Sequence, residues 1–148
     1  MLTATSQYAL QAMVYLAEHT GAGAAPTRRV AKEAGIPRKY LSSILATLVR
    51  KGVLIASPGS NGGYRLARRP SEIPLWDVLE SSEPMLAERR PCPFGRNSCG
   101  DEDPCDGHKH WKKVRESYLA FVHETSLYDV IGRKAQLVES GSRRQHHR

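Results

Sequence analysis

The chain has 148 residues and a net charge of +7, with 40% hydrophobic, 25% charged and 7% aromatic residues, a size for one core with appended elements and not for two large domains. No apolar run approaches the roughly 20 residues of a membrane span, and residues 1–6 lack a basic stretch followed by an apolar one, so a cytoplasmic protein without a membrane partner is expected. Charge falls in three blocks, +8 over residues 1–69, −6 over 70–108 and +5 over 109–148, and the first is the block suited to a polyanion.

In residues 6–18 the apolar positions Ala9, Leu10, Ala12, Met13, Leu16 and Ala17 recur at helical spacing behind a Thr5/Ser6 cap. Thr27 is placed to cap a short second helix carrying Val30, Ala31 and Ala34, which Gly35 ends by taking the left-handed conformation. Pro37 suits the first turn of a third helix, where Leu41, Ile44, Leu45 and Leu48 follow at i, i+3, i+4 and i+7 up to Gly52. The opposite face of that helix holds Arg38, Lys39, Ser42, Ser43, Thr47 and Arg50, with no carboxylate between Pro37 and Lys51. Residues 53–56 and 64–67 read as two strands around a tight turn of Pro, Gly, Ser and Asn.

Helix-turn-helix followed at once by a basic hairpin is the winged-helix order. In it the second helix of the pair enters the major groove of double-stranded DNA and the hairpin lies along the backbone or minor groove. Arg28, Arg29, Arg65 and Arg68 are the candidates for phosphates, Ser60 and Asn61 for the wing tip, and Arg38, Lys39, Tyr40, Ser42 and Ser43 for base edges. The bland alternative is a small α+β core whose basic face meets only water.

Past Pro70 the charge changes sign, and Ile73, Leu75, Trp76, Val78 and Leu79 make a short helix opened by Pro74. Residues 81–107 lack periodicity and form a loop long enough to be functional. A helix over residues 107–124 follows, with Trp111, Val114, Tyr118, Phe121 and Val122 along one side. That stripe must be buried somewhere, either on its own domain or in a homodimer, and the dimer is the favoured expectation. Thr125 can cap a last short helix with Leu127, Val130 and Ile131, and residues 135–148 read as a disordered basic tail, whose His146–His147 pair is tail composition. The expected organisation is a mainly α fold with a small β-hairpin: a winged helix-turn-helix over 1–80, a cysteine loop over 81–107, a dimerisation helix and short terminal helix over 108–134, and the tail.

All three cysteines, Cys92, Cys99 and Cys105, fall in the acidic block, and with His108 they give C-x6-C-x5-C-x2-H. An odd number of thiols in a reducing compartment argues against a disulfide framework. Zinc knuckles usually place two cysteines two to four residues apart, and neither interval here is that short. Wider spacing suits an iron-sulfur cluster held by cysteines and one other ligand; zinc and metal-free thiols stay open. Asp101, Glu102, Asp103 and Asp106 are expected to raise the thiol pKa values and so work against reactivity.

With loop and winged helix together the sequence resembles the Rrf2 family of bacterial transcription regulators. The likeness runs from about residue 5 to 131. It is carried by Ser6-Gln7-Tyr8-Ala9-Leu10-Gln11-Ala12-Met13, by Ile36-Pro37-Arg38-Lys39-Tyr40-Leu41, by Gly59-Ser60-Asn61-Gly62-Gly63-Tyr64-Arg65-Leu66-Ala67 and by the three-cysteine loop. The resemblance implies a homodimer with crossing C-terminal helices, binding a pseudo-palindromic operator. Each subunit would hold a 2Fe-2S or 4Fe-4S cluster through Cys92, Cys99 and Cys105, and the transcription machinery would be a further partner. In one branch a histidine three residues after the last cysteine completes the site, here His108, with His110 as the nearby competitor. Another branch uses an acid near the start of the partner's first helix, where this chain has Tyr8 and Gln11. Six residues separate Cys92 from Cys99 where the family's cluster-binding members that it resembles have five. No nucleophile-base pair, phosphate loop or catalytic carboxylate pair emerges, so no enzyme is expected; a small electron-transfer protein would have no use for the acid-free helix and basic wing.

Overall fold

In the computed structural model, which describes residues 2–132, helix α1 spans Ala4–Glu18 and starts two residues before the sequence expectation. The cap is Thr3, whose Oγ1 accepts the Ser6 backbone N–H at 3.1 Å. Ser6, expected at the cap, is buried inside the helix, with its hydroxyl 2.9 Å from Thr3 Oγ1 and 2.7 Å from Ser82 Oγ. Helix α2 (Thr27–Ala34) contains Thr27 within its first turn, with Pro26 at the cap, and Gly35 closes it at φ +68°. Buried Ile36 leads to α3 (Arg38–Arg50), which sends Leu41, Ile44, Leu45 and Leu48 into the core.

Strands β1 (Leu54–Ser57) and β2 (Gly63–Leu66) pair antiparallel, Leu54 opposite Leu66 and Ser57 opposite Gly63, each shifted by one residue from the sequence expectation. The other edge of β2 is covered as well. Ala25 and Tyr64 exchange backbone hydrogen bonds of 2.9 Å each, which pins the wing to the segment before α2. At Gly63 (φ +140°) a Cβ would come within 2.3 Å of the Ala25 carbonyl, so this close approach admits only glycine.

Helix α4 spans Leu75–Leu79, α5 His108–Glu124 and α6 Leu127–Val130. The segments opening α4 and α6 hold each other: Leu75 N–H donates to Thr125 O at 2.9 Å and Leu127 N–H to Ile73 O at 2.8 Å. The cap of α6 is Ser126 and not Thr125; the Asp129 carboxylate accepts both its N–H and its hydroxyl at 2.7 Å. One core joins α1, α3, the start of β1, α4 and α6 through Met13, Leu41, Leu45, Leu54, Leu79 and Leu127. Between α4 and α5 the only regular piece among the described residues is a 3-10 turn at Pro84–Leu86.

The expected dimer stripe on α5 divides in two. Tyr118 and Val122 are buried on the chain's own domain, so these two are core residues and not a free interface, whereas Val114 and Phe121 remain 41% and 44% exposed and Trp111 half-buried. The division follows from α5 lying on α4, where Trp76 and His123 stack with ring centroids 4.4 Å apart. Among the described residues no helix is long and apolar enough to cross a membrane. The tail over 135–148 lies outside them.

Candidate functional site

The first turns of α3 face solvent, and Arg38, Lys39, Tyr40, Ser42 and Ser43 are all exposed. Tyr40 stacks on Tyr8 of α1 with centroids 6.1 Å apart, and the Lys39 ammonium sits 4.7 Å above the Tyr40 ring. The tyrosine thereby serves as a platform that orients a cation. Ser43 donates to its own helix, at Tyr40 O (3.0 Å), whereas Ser60, Asn61 and Arg65 are exposed along the wing, Arg28 on α2 is exposed and Arg29 is half-buried. Among the described residues Arg28, Arg29, Arg38, Lys39 and Arg65 have no carboxylate within 4.0 Å. A cluster of cations without internal counter-charge is what a polyanion partner completes.

Arg68 differs from the expectation that it would engage a phosphate. Its Nη2 pairs with Asp77 of α4 at 2.7 Å and its Nη1 donates to Glu72 O at 3.0 Å, which draws the guanidinium onto the domain. Lys51, just after α3, is held in the same way by Glu80 at 2.7 Å.

The cysteine loop brings its four candidate ligands together as two pairs. Cys92 Sγ and Cys105 Sγ stand 3.6 Å apart, and Cys99 Sγ stands 3.6 Å from His108 Nδ1. His108 is the first residue of α5 and is buried, with its backbone N–H on Cys105 O at 2.9 Å. Its Nε2 donates to Asp101 Oδ1 at 2.9 Å, and Lys112 Nζ donates to both Asp101 oxygens at 2.9 Å. The bond from His108, and then that from Lys112, hold the Asp101 carboxyl below its ordinary range. With Nε2 on the Asp101 carboxylate, it is Nδ1 that faces Cys99.

The six residues between Cys92 and Cys99 open with a tight turn. Gly95, at φ +94°, donates to Cys92 O at 3.1 Å, Cys92 N–H donates to Arg96 O at 3.1 Å, and Arg96 clamps Asp103 at 2.9 Å. The acidic neighbours do not raise the Cys92 thiol as the sequence led us to expect. The Phe94 amide hydrogen-bonded to its sulfur, helped by that of Arg96, lowers it.

Two donors sharing a tetrahedral metal at bonds of about 2.3 Å stand roughly 3.8 Å apart, so either pair has the spacing to chelate one metal. The pairs do not merge: among the described residues no group of three or more His, Cys, Asp or Glu side chains is arranged to hold a single metal ion. His110, the competitor, is exposed in the first turn of α5. Sequence reasoning missed Asp101 and Lys112, which lie seven residues before and four after His108; inside an acidic run, nothing in the spacing distinguishes Asp101 from Glu102 or Asp103.

Comparison with known proteins bears on both faces. The sequence pattern of the Rrf2 family, described as iron-dependent transcriptional regulator, matches residues 2–133. The chain belongs to the Rrf2 family. It is 27% identical over 145 residues to the HTH-type transcriptional regulator IscR of Klebsiella pneumoniae (strain 342), covering 98% of this chain and 88% of that one. To IscR of Pectobacterium atrosepticum it is 28% identical over 136 residues, covering 92% and 82%. Among solved structures it resembles T. potens IscR with a TM-score of 0.69 at 27% identity, covering 87% of this chain and 84% of that one. CymR, the global cysteine regulator of B. subtilis, shares the fold with a TM-score of 0.71 at 21% identity, covering 88% and 95%. As an Rrf2 protein the chain is a DNA-binding transcriptional regulator with a winged helix, and not an enzyme.

Proposed function

We propose that this Rrf2 regulator binds a pseudo-palindromic operator as a homodimer and that an iron-sulfur cluster held by Cys92, Cys99, Cys105 and His108 controls its affinity. The observation that carries the reading is the two soft-donor pairs, each at 3.6 Å, with the histidine fixed from behind by Asp101. A carboxylate on the far nitrogen is the usual support of a metal-bound histidine. Of the two cluster types, a 2Fe-2S centre would suit this pairing better, with Cys92 and Cys105 as one ligand pair and Cys99 and His108 as the other. When bound, the cluster would supply a group sensitive to redox state, nitric oxide or iron-sulfur supply.

The chain's own residues connect this loop to the reading surface. His108 opens α5, and α5 lies on α4 through Tyr118, Val122 and the Trp76–His123 stack. From α4, Glu80 holds Lys51 at the end of α3 and Asp77 holds Arg68 beside the wing. A rearrangement of residues 92–108 that shifts α5 therefore changes the setting of both DNA-facing elements. Val114 and Phe121, exposed beside Trp111, are covered when a second copy lays its α5 against them, which sets two α3 helices for two half-sites. Arg38, Lys39 and Ser42 then face base edges, while Arg28, Arg29 and Arg65 meet phosphates.

The test is anaerobic purification with iron, acid-labile sulfide and zinc counted per chain. Binding to an operator selected from random-sequence DNA is then compared for loaded, stripped and Cys99→Ala protein. Matched iron and sulfide, with operator affinity that changes on cluster loss while the dimer stays folded, is the expected result. One zinc per chain in a colourless protein, or operator binding identical in all three forms, refutes the sensing mechanism.

A further inference from the structure

Beside the Cys99–His108 pair lies an open cavity of about 560 Å³, lined in part by Arg89, Arg90, Asn97, Ser98 and Cys99, with Glu88 also on its wall. Arg90 is tied to the site through its backbone, whose carbonyl accepts the Cys99 N–H at 3.2 Å. Its guanidinium is poorly satisfied: Nη1 makes one long bond of 3.4 Å to Glu88 O, and Nε is buried without a hydrogen-bond partner. Arg115 of α5 is the neighbour of this group and donates through Nε to Met85 O at 3.1 Å. Among the described residues neither guanidinium has a carboxylate within 4.0 Å.

Two like charges side by side, one with a buried orphan donor, are unfavourable unless an anion completes them. Burial, and then the charge of Arg90, push the Arg115 pKa down, while negative charge on Cys99 pushes it up and adjacent Glu116 does so least. Cys99 lines the same cavity as Arg90 and donates its N–H to the Arg90 carbonyl, so the anion that balances this pair is to be sought on the Cys99 side.

We propose that Arg90 and Arg115 are positioning residues that supply the counter-charge of the anionic cluster site at Cys99 and thereby raise its reduction potential. The inference rests on the cluster reading above. A cluster held by three thiolates and a neutral imidazole is anionic, and its negative charge grows by one unit on reduction, so neighbouring cations favour the reduced form. Without the cluster the same two cations only repel each other.

The experiment uses full-length wild-type protein beside Arg90→Gln, Arg115→Gln, Arg90→Lys and Arg115→Lys, all reconstituted without oxygen. Iron and sulfide per chain are measured first, then the reduction potential by dye-mediated titration, then the melting temperature of the stripped proteins. Each glutamine variant is expected to shift the one-electron equilibrium at least tenfold toward the oxidised form, a fall of about 59 mV, and each lysine variant to restore most of it. The stripped glutamine variants are expected to melt above stripped wild type. Glutamine variants that share the wild-type potential overturn the proposal, as do lysine variants shifted as far as glutamine ones. Where glutamine variants fail to retain iron, retention by the lysine variants supports the counter-charge and loss in both refutes it. Wild-type protein that takes up no iron and sulfide sinks the cluster reading and this inference together, whereas loaded wild type with unshifted variants sinks this inference alone.

Discussion

Asp101→Ala isolates the part of the candidate metal centre that sequence reasoning did not find. The residue is 69% exposed and touches His108 and Lys112 through its carboxylate alone, so truncation leaves no cavity. What it removes is the acceptor that keeps the imidazole proton on Nε2. Without that bond the two neutral tautomers of His108 become comparable, which costs about twofold in the fraction presenting Nδ1 as a lone pair. Freeing the ring between its two broad torsional wells costs about twofold again. Loss of the carboxylate's effect on ligand basicity adds the rest, giving a total of about 10-fold, the lower end of the 10–100-fold measured when such supports are removed elsewhere. The assay is anaerobic competition with an iron chelator at fixed protein concentration, run beside Lys112→Ala, which leaves the His108–Asp101 bond in place. Iron retention in Asp101→Ala equal to wild type, or lowered no further than in Lys112→Ala, would refute the role given to this carboxylate. Stripped Asp101→Ala should melt as stripped wild type does.

Four further outcomes are expected. Arg38→Ala should relax sequence preference, losing about 1–3 kcal/mol of discrimination at one base position, whereas Arg65→Ala should weaken all sequences alike and reduce the salt slope by about one; competitive binding to operator and random DNA over a salt series separates them. Gly63→Ala forces a side chain against the Ala25 carbonyl at a left-handed position and should cost about 1–3 kcal/mol or more in denaturant unfolding, with loss of wing-dependent affinity. Asp129 is held below the ordinary carboxylate range by its bonds from Ser126, so it stabilises the fold above the ordinary aspartate value near pH ~4 and loses this contribution as pH falls through its lower folded value. Melting curves from pH 5 down to pH 2 should therefore be steeper for wild type than for Asp129→Asn. Asp77→Asn releases Arg68 beside the wing and should raise affinity for random DNA while lowering stability by only about 0.2–1 kcal/mol, as is usual for a partly exposed pair; unchanged non-specific binding would show that Arg68 stays on the domain without Asp77.

Most of the winged helix was legible because its signals are periodic and local. Leu41, Ile44, Leu45 and Leu48 are all buried at the spacing that marked them, and Gly35 and Pro37 punctuate where their backbone preferences require. The misplaced starts of α1 and α6 share one cause, competition between several residues able to cap. Thr3 and Ser6 both carry a hydroxyl, and only the packing of Ser82 against α1 decides that Ser6 goes inside. The α5 stripe misled in a similar way, because periodicity tells that Tyr118 and Val122 are on one side but not which body covers them. At the cysteine loop the ligand types were legible from composition, whereas the pairing of Cys92 with Cys105 and of Cys99 with His108 depends on the Gly95 turn and on where α5 begins.

The element that joins the two faces is the least conspicuous in the sequence. Helix α4 has five residues, yet Leu75, Val78 and Leu79 enter the core, Trp76 meets α5, Asp77 takes Arg68, and Glu80, at its C-cap, takes Lys51. Three positions thus enter the core and the others reach α5 and the basic face, where the two acidic residues draw toward the core the cations nearest to the wing and to the end of α3. A helix so short is not stable by itself and takes its position from those neighbours. Its two ion pairs, each weak as a stability element, therefore matter through what they hold in place: they decide which cations of the basic face stay bound to the domain and which remain for DNA.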